Sequence, residues 1–131
     1  MNPVYFETRF RTPHPVTPWP AEFVIISAFA TTGEFWTSRQ NEDADRRLAS
    51  HLSALGVWVE RVTGYSPTTG HAEPGWAAKL AIEEACDIGL HFRQDAIYHV
   101  KNDRLSVTYC DSRRELLHVD SFRSRLHVDD R

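Results

Sequence analysis

Between Gly64 and Trp76 the chain reads Gly-Tyr-Ser-Pro-Thr-Thr-Gly-His-Ala-Glu-Pro-Gly-Trp, which puts a phenol (Tyr65), an imidazole (His71), a carboxylate (Glu73) and an indole (Trp76) in one turn-rich segment. His and Glu two residues apart can exchange protons or hold a polar ligand, and an aromatic ring beside them can wall a pocket. Loops carried by a rigid scaffold are where such groups usually act. His71-Ala-Glu73 also reads as the H-x-E half of a zinc deaminase site, but the P-C-x-x-C half is absent. H-E-x-x-H, a G-x-S-x-G elbow and the glycine-rich phosphate loops are absent too. The catalytic candidates are therefore Glu73 with His71 or Asp95, as an acid and base pair or around a divalent ion, and no resident metal or cofactor is expected.

The rest of the composition narrows the class. A chain of 131 residues fits one domain with one hydrophobic core. With 41% hydrophobic and 25% charged residues it is far from the composition of disordered chains. A net charge of -3 gives no electrostatic reason to expect nucleic acid. The last segment does not change this, because five Arg (113, 114, 123, 125, 131) are matched by five acids (111, 115, 120, 129, 130). The start lacks a basic segment followed by a long apolar run, and no apolar run reaches the length of a membrane span, so a cytoplasmic protein without a membrane partner is expected. Two cysteines in different elements, Cys86 and Cys110, suggest neither a disulfide framework nor a metal knuckle, and both are read as reduced.

The elements that must position the candidate groups follow from pattern. Four prolines between residues 12 and 20 favour an extended connector after a short N-terminal arm. Phe23 to Ala30 is a continuous apolar run, as in a strand buried on both faces. From Asn41 to Leu55 the apolar residues Ala44, Leu48, Leu52 and Leu55 recur at helical spacing, and Gly56 follows as a left-handed cap. Asn41 either caps that helix or faces a site. Val57 to Thr63 reads as a strand, Gly64 to Gly75 as a loop, and Trp76 to Ala81 as a strand with Trp76, Ala78 and Leu80 on one face. Ile82 to Gln94 is a second helix with Gly89 in its apolar stripe. Ala96 to Lys101 and Arg104 to Cys110 form a hairpin around Asn102-Asp103. His51, His91 and His99 are expected to face solvent.

This order predicts an α+β two-layer sandwich, an antiparallel sheet with two helices on one face. It is a ferredoxin-like split βαβ with an extra C-terminal hairpin strand. The division is a single domain over 1-131: arm and connector at 1-20, core at 21-110, tail at 111-131. In that topology the Thr31 to Gln40 loop, the start of the first helix, the Gly64 to Gly75 loop and the Gln94-Asp95 junction converge at one pole of the sheet. Asn41, Tyr65, His71, Glu73, Trp76 and Gln94 are the ligand-binding candidates there. Taken singly, Trp76 reads as a core anchor and Gln94 as a helix end. The sheet face without helices must be covered by arm, by tail or by a second copy of the chain.

Several segments together resemble a known group: Phe23-Val-Ile-Ile-Ser-Ala, Asn41 with Arg46 and Leu48, Gly64-Tyr-Ser-Pro, His71-Ala-Glu-Pro-Gly-Trp76, and Phe92-x-Gln-x-Ala-Ile97. The chain is similar over about residues 22 to 110 to small bacterial proteins classed only as a domain of unknown function, with an "ITAxNP" strand and an "FxQxA" junction. The resemblance implies Asn41, Glu73 and Gln94 as site positions and brings no activity with it. Ala30-Thr31-Thr32 stands where that pattern has Asn-Pro. Three functions are carried forward. The first is a ligand-binding or regulatory module for a small polar molecule or peptide, with a homodimer as the expected assembly. The others are a small hydrolase or transferase, and a protein-protein interaction domain.

Overall fold

The computed structural model describes residues 1–30 and 35–129, so most of the expected Thr31 to Gln40 loop's first half lies outside the described residues. The elements are α1 (Val4–Glu7), β1 (Arg9–Thr12), β2 (Glu22–Ser27), α2 (Ser38–Ala54), β3 (Val59–Tyr65), β4 (Ala72–Ala78), α3 (Ile82–His91), β5 (Ala96–Lys101), β6 (Arg104–Tyr109), β7 (Leu117–Ser121), α4 (Phe122–Arg125) and β8 (Leu126–Val128). They form one mixed sheet in the order β7-β6-β5-β2-β4-β3-β1-β8. Every neighbouring pair is antiparallel except β1 with β8.

The sheet has eight strands, not five. The arm supplies β1 and the tail supplies β7 and β8, segments of three to five residues that are too short to show a period of their own. The sheet also curls into a half-barrel instead of lying flat under two helices. Phe10 of β1 and Tyr98 of β5 are four steps apart in strand order, roughly 19 Å in a flat sheet at ~4.8 Å per step. Their rings are nevertheless 5.0 Å apart, edge to face.

Strand β2 shows why both faces need cover. Val24 and Ile26 pack under Leu48 and Leu52 of α2 and Ala85 of α3. Phe23 and Ile25 face the other way, into a second cluster. That second face is covered by the chain's own ends: Trp19 of the proline-rich connector stacks on Phe23 at 5.1 Å, and Phe122 of α4 lies 5.3 Å from the same ring. Polar ties hold the ends in place. Arg125 donates through Nη1 to the carbonyls of Phe6 and Thr8, each at 3.0 Å, and through Nε to Asp120. Arg114 spans Glu83 and Asp87 of α3, both at 2.7 Å.

Helix α2 starts earlier than its apolar stripe suggests. Thr37 is the cap, in a reciprocal box with Gln40, so Asn41 lies inside the first turn. Asn102 and Asp103 both take positive φ, as the two-residue hairpin requires. His99, expected at the surface, is buried because β5 is flanked by β2 and β6, and its Nε2 lies 2.7 Å from Glu22 Oε2. No helix among the described residues is long and apolar enough to cross a membrane.

A Cβ on Gly89 would sit 2.6 Å from Cys110 Sγ and 3.2 Å from Ile97 Cγ2. Gly89→Leu should therefore cost about 1–3 kcal/mol or more by overpacking α3 against the sheet, read as a lower midpoint in urea; an unchanged midpoint would count against this close approach. Truncation after Asp111 removes β7, α4 and β8 and uncovers Phe10 and Phe23. The shortened chain should bind a hydrophobic dye and melt at lower temperature than the full chain, and matching melts without dye binding would show that the tail is no structural cover.

Candidate functional site

The Gly64 to Gly75 segment is less of a loop than its composition suggests. Strands β3 and β4 run into it and pair as far as Tyr65 with Ala72, leaving a turn of residues 66–71. Ser66 organises the turn: its Oγ accepts the Thr68 and Thr69 N–H groups, and its carbonyl accepts the N–H of Gly70, which has φ +76°. Pro74 is tolerated within β4 because the β2 pairing stops one residue away, at Ser27 with Gly75. The Ser27 hydroxyl donates to the Pro74 carbonyl at 3.3 Å instead. Gly75 is required for a steric reason, since a Cβ there would lie 2.8 Å from the Ile26 carbonyl oxygen.

Because Glu73 is in a strand, alternation decides what it can meet. Glu73, Gly75 and Ala77 point to the concave face, and Trp76 and Ala78 point to the helices. On the concave side Glu73 lines a cavity of about 110 Å³ with Tyr65, His71, Gln94, Tyr98 and, from the arm, Tyr5 and Thr8. Four of the six ligand-binding candidates, Tyr65, His71, Glu73 and Gln94, are thus brought together from β3, the turn, β4 and the segment between α3 and β5.

Trp76 and Asn41 are placed elsewhere. Trp76 lies across the sheet, where its Nε1 donates to Asp45 Oδ1 at 3.0 Å and the Arg61 guanidinium lies 3.8 Å over its ring. Arg61 also grips both Asp45 oxygens, at 2.9 and 2.7 Å, so this group reads as a bolt between α2 and the sheet. Asn41 accepts the Ala30 N–H through Oδ1 at 2.8 Å, while Gln94 donates to the Phe29 carbonyl at 2.9 Å. Together they fix the chain as it leaves β2. Asp95 is exposed and does not line the cavity; its carbonyl accepts the Cys110 N–H.

Residues 26–97, more than half of the chain, match the sequence model of a family described as "Protein of unknown function (DUF3293)". The chain belongs to this family. The matched span holds Asn41, Glu73 and Gln94, so it includes the floor of the cavity and the clamp on β2, whereas Tyr5, Thr8 and Phe10 lie outside it. Of the family-pattern departure at Ala30-Thr31-Thr32, only Ala30 is among the described residues. No curated protein matches the chain, and no solved structure does.

The chemistry of this DUF3293 site centres on Glu73. The residue is half-buried, and no hydrogen bond or ion pair to its carboxylate forms among the described residues. Burial pushes its pKa up, and the charge of His71 only partly opposes this. The thiols contribute no nucleophile, since burial pushes Cys110 up to about 12 and raises Cys86 as well. No group of three or more His, Cys, Asp or Glu side chains with metal-binding geometry occurs among the described residues.

A carboxyl whose folded pKa is raised binds protons more tightly in the native state than in the unfolded chain. Its ionisation therefore removes stability as pH rises from about 4.5 through the folded value, and the loss is constant above that. Glu73→Gln should be more stable than the natural chain at neutral pH and indistinguishable from it in acid, measured by urea unfolding at several pH values. A variant less stable at neutral pH would mean that the carboxylate has a stabilising partner.

Proposed function

We propose that this protein is a binding module for a small molecule held in the concave cavity between the β3–β4 hairpin and the N-terminal arm. The observation that carries this reading is a half-buried carboxylate, Glu73, without a partner among the described residues, in a cavity walled by Tyr5, Phe10 and Tyr98. A structural carboxylate would be paired or solvated, because leaving one partly desolvated costs stability. A volume of about 110 Å³ is well below the ~300–1,000 Å³ of sites for drug-sized ligands. At roughly 10–15 Å³ per water it has room for several waters or for a ligand of a few heavy atoms, and a nucleotide is too large. The scaffold in this proposal is a split βαβ unit of ferredoxin-like type, supported by the order β5-β2-β4-β3 with α2 and α3 on one face. A cytoplasmic address fits the two buried, unbridged thiols.

One observation also favours an enzyme: Glu73, whose pKa is raised by burial, shares the cavity with His71, which is the pairing a general acid and base need. In that reading a ligand would be consumed with time, whereas a binder returns it unchanged.

A thermal-shift screen of small metabolites should give compounds that raise the melting temperature, because a ligand preferring the native state stabilises it. Ala96 lines the cavity, so Ala96→Leu should fill it and abolish those shifts while the variant still melts cooperatively. Shifts that survive in the filled variant would move the site elsewhere, and a screen without any stabilising compound would sink the binding reading.

A further inference from the structure

The polar groups of the cavity have mostly spent their hydrogens on the protein itself. Thr8 Oγ1 donates to the Val4 carbonyl at 2.9 Å, Tyr98 Oη to the Tyr5 carbonyl at 2.7 Å, and Ser27 Oγ to the Pro74 carbonyl. Gln94 commits its amide nitrogen to two carbonyls, Phe29 at 2.9 Å and Phe92 at 3.2 Å. That pairing fixes the orientation of its amide, since the reverse would set oxygen against oxygen. What Thr8, Tyr98 and Gln94 have left for a ligand is lone pairs. Glu73 adds a carboxylate. The other side chains carrying hydrogens at the cavity are those of Tyr5 on the arm and of Tyr65, Ser66 and His71 on the hairpin and its turn.

A site of this kind selects by what it lacks. A carboxylate or phosphate would face lone pairs and a like charge in a partly desolvated space, which is repulsive. A neutral hydroxyl brings one hydrogen to several acceptors. A primary ammonium brings three hydrogens and a charge opposite to that of Glu73. The aromatic walls add to this preference, because the faces of Tyr and Phe rings attract cations. The chain itself shows the effect between β1 and β3, where the Arg11 guanidinium lies 5.4 Å over the Tyr65 ring.

Resting on the binding reading above, we propose that the ligand is a small primary amine, bound as its ammonium ion. The ammonium sits against the Glu73 carboxylate, with the Thr8, Tyr98 and Gln94 oxygens as further acceptors and its short apolar part against Phe10 and Tyr98.

The experiment is a titration of the full chain in amine-free phosphate buffer with three probes of one size, n-propylamine, n-propanol and propionate, followed by amide chemical shifts. The amine should bind most tightly and move the signals of Glu73, Gln94 and Tyr98. Glu73→Gln should weaken it roughly ten- to a hundredfold, the usual worth of a charge-assisted hydrogen bond, and weaken n-propanol far less. Glu73→Asp, which keeps the charge but withdraws it, should fall between the two and serves if the glutamine variant does not fold. Propionate or n-propanol binding as tightly as the amine in this cavity would overturn the ammonium assignment and leave the binding module standing. Unchanged amine affinity in Glu73→Gln would overturn it as well. If none of the three probes binds the natural chain, the assignment and the binding module fall together.

Discussion

Everything in this structure depends on a sheet that is apolar on both faces. Strand β2 sends Val24 and Ile26 one way and Phe23 and Ile25 the other, and burying a large aliphatic or aromatic side chain is worth about 1.5–3 kcal/mol. Two helices can cover one such face. The other has to be covered by something else, and the chain uses its own two ends, which is why a sheet of this length curls instead of splaying. The cavity is a by-product of that second covering: the arm closes over β4 and β5 completely around Phe10 but incompletely around Glu73.

The two sides of β4 consequently do different work. On the helix side, Asp45, Arg61 and Trp76 satisfy one another through ion pair, hydrogen bond and ring stacking, an arrangement with no spare capacity. On the concave side, one residue pair away, Glu73 has capacity and no partner among the described residues. Gly75 lies between them, and its missing side chain lets β2 approach closely enough for Ser27 to reach Pro74. A strand with satisfied charge behind it and unsatisfied charge in front is a rigid mount for a site.

Much of the frame was legible in the residues because its signals are local. The unbroken apolar run of β2, the 3.6-residue stripe of α2 closed by Gly56 at φ +68°, and the Asn102-Asp103 turn each carry their own pattern. β1, β7 and β8 carry none, since three to five residues cannot display a period, and their existence depends on partners far along the chain. Curl is likewise a property of the whole sheet. At the site, Gln94 and Glu73 could be brought together from topology, but Trp76 was placed beside them only because Gly and Pro made residues 64–75 read as a loop. Extended one step back, the alternation that puts Trp76 with Ala78 puts Glu73 on the opposite face. The role of Arg61 had a faint signal too, a charged residue on the same strand face as the apolar Val59.

The position of β1 orders events during synthesis. It precedes every other described strand in the chain, yet it lies between β3 and β8, and the carbonyls of Phe6 and Thr8 just before it are held by Arg125. A growing chain can assemble β2 to β6 with α2 and α3 while β1 and the residues just before it still lack their partners in β8 and Arg125. The wall of the cavity that bears Tyr5 and Thr8 is then locked only when Arg125, which follows all the strands of that core, has been made. A nascent chain on the ribosome would carry the floor of the cavity well before it carried an enclosed one, so the enclosure forms only after Arg125 has been made.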